Sequence, residues 1–255
     1  MEFAMALSAF LCFWPGFPAP ALVLRCGLNA SLRFSPRAAL ALSALASFCG
    51  AAGALLYRGG LWAAPQAARG PALIGSFLGG TLGRAWLLMF VARFSGSLML
   101  ARLQALPLLL LVALALLPAR APARRIQDPS AVRLGALCLF CAAADGFFGA
   151  GGPLLFARLL PPPILRSRSA PSSTALLVAI GGQAGAIALT LCAGAAQVLP
   201  PLMLLSVALG SLLGSLAAGA GQNAGRGTLS KGMRTALGVY LCFAMLALLE
   251  QAFGG

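Results

Sequence analysis

Histidine is absent from the 255-residue chain, and only four side chains are acidic: Glu2, Asp128, Asp145 and Glu250. Without imidazole the usual haem ligand is missing, and catalytic triads and most zinc sites lose their commonest member. The acids are also scattered, so no carboxylate pair is available for acid–base chemistry. An enzyme is therefore not expected, nor a metal or cofactor. The seven cysteines are an odd number and all fall in or beside apolar stretches, which argues against a disulfide framework. Charge of either sign is scarce: 9% of residues are charged, against about 25% in soluble domains.

What fills the chain instead is apolar. Sixty per cent of residues are hydrophobic, and several runs of 17 or more carry few or no charges, the length a helix needs to cross a bilayer. The expected class is an all-α polytopic membrane protein. Its net charge of +14 comes from 17 Arg and Lys231, which lie mainly between the apolar runs. There they read as topology signals and contacts to lipid headgroups; nucleic acid is not an expected partner. Small residues near Phe17–Ala21 resemble a leader-cleavage site, but Glu2 and the missing basic n-region favour a membrane span.

Eight spans are expected, at about 4–24, 38–57, 71–91, 103–119, 131–157, 170–193, 199–220 and 232–253. The first is interrupted by Pro15, Gly16, Pro18 and Pro20, and the fifth by DGFFGAGGP (Asp145–Pro153). Sliding the chain on itself by 131 residues sets Leu78-Gly79 and Gly83 over Leu209-Gly210 and Gly214, with Gly50 over Gly181. The reading is two four-helix repeats, 1–119 and 131–255, joined by a linker at 120–130, with the broken spans in corresponding positions. An even number of spans per repeat predicts that both repeats enter the membrane from the same side. Counting Lys and Arg in alternate connections gives 12 against six, which places both termini outside but leaves Arg120, Arg124, Arg125 and Arg133 on the minority side.

Asp145 is the acid well inside a span, so a proton-coupled cycle using an intramembrane carboxylate would have to use it. It could equally cap the helix that resumes after the glycines. Gly146, Gly149, Gly151 and Gly152 let the backbone unwind and approach an anion, although close helix packing is the alternative. Gly75-xxx-Gly79-xxx-Gly83 and Ser206-xxx-Gly210-xxx-Gly214 read as packing faces. Ser172, Ser173 and Thr174 either cap the sixth span or offer hydroxyls to a substrate. Gln183 is a mid-span polar group open to either an interhelical bond or a substrate. Arg84 either snorkels to the interface or contacts an anion. Cys138 and Cys141 read as apolar packing.

With DGFFGAGGP, a Pro-containing turn, an Ala/Ser/Thr helix start and a Gly-rich seventh span, the chain resembles the TauE/SafE family of sulfite-exporter-like permeases. The specific part covers about residues 140–215, and the eight-span plan nearly the whole chain. The resemblance implies transport of sulfite, sulfonates or related sulfur or organic anions across the bacterial cytoplasmic membrane. It would place the substrate on Asp145, Gly146, Gly149, Gly151 and Gly152, with Ser172, Ser173 and Thr174 on the next helix. The sequence departs from the pattern in having only Gly151-Gly152 before Pro153, and WPGFPAP (Trp14–Pro20) in the first repeat. The second repeat is therefore expected to dominate binding.

The leading expectation is a secondary transporter of a small anion, in contact with lipid and with self-association left open. The alternative is a non-transporting membrane scaffold on a degenerate permease fold.

Overall fold

Serines and prolines set where several helices begin. The computed structural model describes residues 2–13, 20–30, 34–93, 97–116, 130–159, 173–194, 199–223, 238–244, 246, 249, 250 and 253. Nine helices are delimited within them: α1 (Glu2–Phe13), α2 (Pro20–Ala30), α3 (Pro36–Tyr57), α4 (Gln66–Arg93), α5 (Ser97–Leu116), α6 (Ala131–Phe148), α7 (Gly152–Leu159), α8 (Ser173–Cys192) and α9 (Pro201–Asn223). The Ser35 hydroxyl accepts from the Ala38 N–H at the start of α3, with Pro36 in the first turn; Ser130 does the same for Arg133 in α6.

Five of these helices are long and apolar enough to cross a bilayer: Arg37–Tyr57, Gln66–Arg93, Ala131–Phe148, Ser173–Cys192 and Pro201–Ala220. The chain thus has the make-up of an integral membrane protein. The other three expected spans are not seen as such. The first is divided between α1 and α2, with residues 14–19, including most of WPGFPAP, outside the described residues. The fourth lies in α5, where Arg102–Ala115 forms a shorter apolar stretch, and much of the eighth lies outside the described residues. The linker at 120–129 also lies outside them.

Small residues bring the helices to backbone contact and reveal their directions. A Cβ at Gly75, Gly79 or Gly83 of α4 would run into the carbonyls of Gly135, Leu139 or Ala143 of α6. Both members of each pair advance by four, so α4 and α6 run the same way. Gly80 meets Gly182 and Gly185 meets Phe77 and Thr81, which adds α8 to this parallel group. A second group follows the same rule. Gly210 and Gly214 of α9 lie on the Ala6 and Phe10 carbonyls of α1, while Gly53 and Gly219 join α3 and α9 through Ser215 and Tyr57. The expected packing faces are therefore helix contacts, except that the Ser206 hydroxyl bonds to Leu202 O within its own helix.

The two groups run in opposite directions. Leu40, near the start of α3, clusters with Leu87 and Phe147, near the ends of α4 and α6. α1 and α6 are consequently antiparallel, contrary to the same-side entry predicted from four spans per half.

The reason is the break after α6. Gln104, early in α5, reaches the Phe147 carbonyl, so α5 runs against α6. Gly151 faces Leu111 and Arg158 donates to Leu114 O, so α7 runs with α5. The fifth span, expected as one interrupted crossing over 131–157, is instead a helix ending at Phe148 and a short helix turning back. That extra reversal changes the parity of the half.

Replacing Gly79 by Ala should lower the thermal midpoint of the detergent-solubilised protein by several degrees, since the Leu139 carbonyl occupies the methyl position and overpacking costs about 1–3 kcal/mol. Gly70→Ala, on the same helix with nothing within 4 Å, should leave it unchanged or raise it slightly.

Candidate functional site

Gly149 ends α6 in the left-handed conformation (φ 75°), its N–H donating to Asp145 O at 2.7 Å. Gly151 (φ 111°) completes the reversal. Only glycine takes such angles without strain, and two of them within three residues turn the chain inside the bundle. Phe147 pins the turn from outside, its ring edge-on to Trp86, Phe90 and Phe148.

Asp145 is fully buried beneath this turn. Its Oδ1 accepts from the Gly152 N–H at 2.9 Å, capping α7, and its Oδ2 accepts from Gln183 Nε2 at 2.6 Å. Because an ionised carboxylate offers only lone pairs, Gln183 must face it with its NH2 group, which leaves the amide oxygen turned elsewhere. That oxygen is buried with no partner among the described residues.

Two guanidinium groups share this interior. Arg84 is 5% exposed and Arg25 is fully buried. Arg84 lies within Coulombic range of both Asp145 and Arg25. It sits one residue beyond Gly83, whose contact with Ala143 draws α4 against α6 beside Asp145. Arg84 does not snorkel, as the sequence allowed. Its Nε is buried with no hydrogen-bond partner among the described residues. Arg25 donates to Gln104 Oε1, and Gln104 Nε2 donates in turn to Phe147 O at 3.4 Å. Among the described residues, the buried charges are Arg25, Arg84 and Asp145. Buried charge in a membrane is costly unless it meets an opposite charge.

The expected site residues divide. Asp145 and Arg84 come together, and Gly152 belongs to the centre through its N–H. Gly149 and Gly151 shape the turn but face Leu40 and Leu111. Gly146 is packed on the Gly80 backbone, so its lack of a side chain serves helix contact rather than a ligand. Ser173 and Thr174 occupy the first turn of α8. At 1.5 Å per residue they lie about 14 Å along the helix from Gln183 and do not join the centre. Ser172 lies outside the described residues. Cys138 and Cys141 pack in an apolar cluster with Leu134, Ala142 and Phe156.

Sequence reading missed Arg25 and Gln104 as site residues. The expected first span ends at residue 24 and leaves Arg25 as a connection charge, although it sits in the apolar run ALVLRCGL (Ala21–Leu28). The signal was that run, which continues on both sides of the charge.

A double-mutant cycle on Asp145→Leu and Gln183→Leu should show coupling of about 1–3 kcal/mol in thermal unfolding, because either single change leaves a buried polar group unmade. Strict additivity would mean that the bond contributes nothing.

No protein-family model, curated protein or solved structure matches this chain.

Proposed function

We propose that the protein is a secondary transporter that moves a small anion (sulfite, a sulfonate or a related sulfur or organic anion) across the bacterial cytoplasmic membrane. The observation that carries this reading is the buried Arg84, whose Nε has no hydrogen-bond partner among the described residues, in the same interior as Asp145 and the turn of a broken helix. A buried guanidinium N–H left without a partner serves no purpose in a scaffold, whereas it gives an anion a reason to leave water. Broken helices that turn inside the bilayer are where secondary transporters hold substrates and coupling ions. Asp145 is the acid able to carry a coupling proton.

On this reading the chain is two repeats, 1–119 and 131–255, related by inversion. α1, α2, α3 and α4 correspond to α6, α7, α8 and α9 at the 131-residue offset, and the helix directions in the two halves are opposed. The site is then shared: Arg25, Arg84 and Gln104 come from the first repeat, Asp145 and Gln183 from the second. This matches the usual position of a transporter site at a repeat interface.

Inversion also removes the charge anomaly. Apart from the buried Arg25 and Arg84, the sequence connections that this arrangement would put on the side where α6 and α8 begin carry 12 of the 18 Lys and Arg residues, and Arg120, Arg124, Arg125 and Arg133 then count with that majority. Those on the opposite side carry four. By the positive-inside rule the first face is cytoplasmic, and the face where α1 and α3 begin is outside.

Purified protein in liposomes should exchange labelled sulfite or a short sulfonate down its gradient. Asp145→Asn and Arg84→Gln should each reduce that flux at least about tenfold at normal expression, the scale expected when a buried charge loses its counterpart. A folded wild type that moves no anion but co-purifies with a stoichiometric partner would instead establish the scaffold.

Orientation has its own test. Cys192 is exposed at the end of α8, on the outer face of this arrangement. A membrane-impermeant maleimide should label intact cells at this residue, and Cys192→Ser should remove that label. Labelling of Cys192 only after lysis would reverse the orientation.

A further inference from the structure

Two buried hydrogen-bonding atoms of opposite character lack partners among the described residues: the donor Nε–H of Arg84 and the acceptor Oε1 of Gln183. Each belongs to a side chain at least nine-tenths buried, and both side chains act on Asp145, one through its field and one through a hydrogen bond. They cannot both be completed by the same kind of group. Arg84 requires a lone pair, and Gln183 requires an O–H or N–H. The Gln183 amide cannot turn over to change this, since its NH2 group is held by the Asp145 carboxylate.

A single ligand that completes both must therefore carry an anionic oxygen and a donor. A fully deprotonated oxoanion has no hydrogen to give Gln183. An ammonium group could supply the donor, but it sets a further cation beside the buried Arg84 guanidinium. A hydroxyl meets both requirements.

We propose that this centre selects oxoanions bearing a hydroxyl, such as a hydroxysulfonate, a hydroxycarboxylate or a hydrogen oxoanion of sulfur, over oxoanions without one. The proposal rests on the reading of the same centre as a transporter's anion site. Sites that hydrogen-bond a ligand hydroxyl discriminate against the analogue lacking it, because that analogue leaves the buried protein group unpaired.

The test uses matched pairs of probes on the purified full-length protein by titration calorimetry: 2-hydroxyethanesulfonate against ethanesulfonate, and lactate against propionate, with sulfate as an oxoanion that carries no hydrogen. The hydroxylated member of each pair should bind at least about tenfold more tightly, and sulfate should bind no better than the members without a hydroxyl. Gln183→Leu should abolish the preference within each pair. Arg84→Lys should weaken both members alike and keep the preference. If the wild type binds both members equally, as it would were Gln183 satisfied by a retained water, hydroxyl selection is overturned and the transporter reading stands. If it binds none of the probes, and liposomes show no flux of sulfite or of a sulfonate, the transporter reading fails and this inference with it. The wild-type comparison decides the matter even where the Gln183 variant does not accumulate.

Discussion

A carboxylate in the middle of a membrane bundle has to be met on every side, and much of this structure is arranged around that requirement. Each oxygen of Asp145 receives one bond, from Gly152 and from Gln183. The first bond requires the backbone to reverse within a few residues, so that the first turn of α7 presents its N–H to a side chain still on α6. The second fixes how far α8 can slide along α6, because a shift of one residue would swing Gln183 off the facing side. Cap, turn and helix register thus answer to one charge.

The charge also explains why the contacts between helices must be so close. Lipid gives apolar helices little reason to prefer each other, and small residues compensate by letting backbones touch. Gly75, Gly79 and Gly83 do this along α4, and the ladder ends immediately before Arg84. Wider spacing would carry the guanidinium away from Asp145 and leave both charges without compensation. Packing and electrostatics are therefore one feature here: the glycines hold α4 at the distance at which Arg84 acts on the carboxylate.

Much of this was legible in the chain because it depends on local chemistry. Asp145 before a Gly-rich break could be read as a cap, and the Gly-xxx-Gly spacing as a packing face, without knowing any partner. The direction taken after the break was not legible. Gly149 and Gly151 permit left-handed backbone, but a permitted reversal and a mere interruption have the same residues. That one ambiguity propagated into the parity of the spans, the relation of the halves and the side assigned to Arg120–Arg133. Arg25 was illegible for a related reason. A hydropathy reading ends a span at the first charge, and only the tertiary structure supplies Gln104 from a helix 79 residues away. Ser173 and Thr174 stand at a helix start, where a cap and a substrate contact read alike in sequence, and the length of α8 separates them from the centre.

The proposed repeat relation makes the centre unequal in an informative way. At the 131-residue offset, Asp145 falls on Trp14, Gln183 on Ala52 and Arg84 on Ser215, while Arg25 falls on Phe156. Of the five polar side chains of the centre, only Arg84 and Gln104 fall on polar residues, the neutral Ser215 and Thr235. Two inverted halves with matching sites would hold two like-charged centres close together in a low-dielectric interior, where their repulsion is poorly screened. Here the two halves contribute unlike side chains to one interior, and they are not free of each other there. Arg84 is carried on α4 of the first half, and the glycines of that helix press it against α6 and α8 of the second, which bear Asp145 and Gln183. The asymmetry of the polar side chains therefore goes with a contact between halves that is as close as any contact within them.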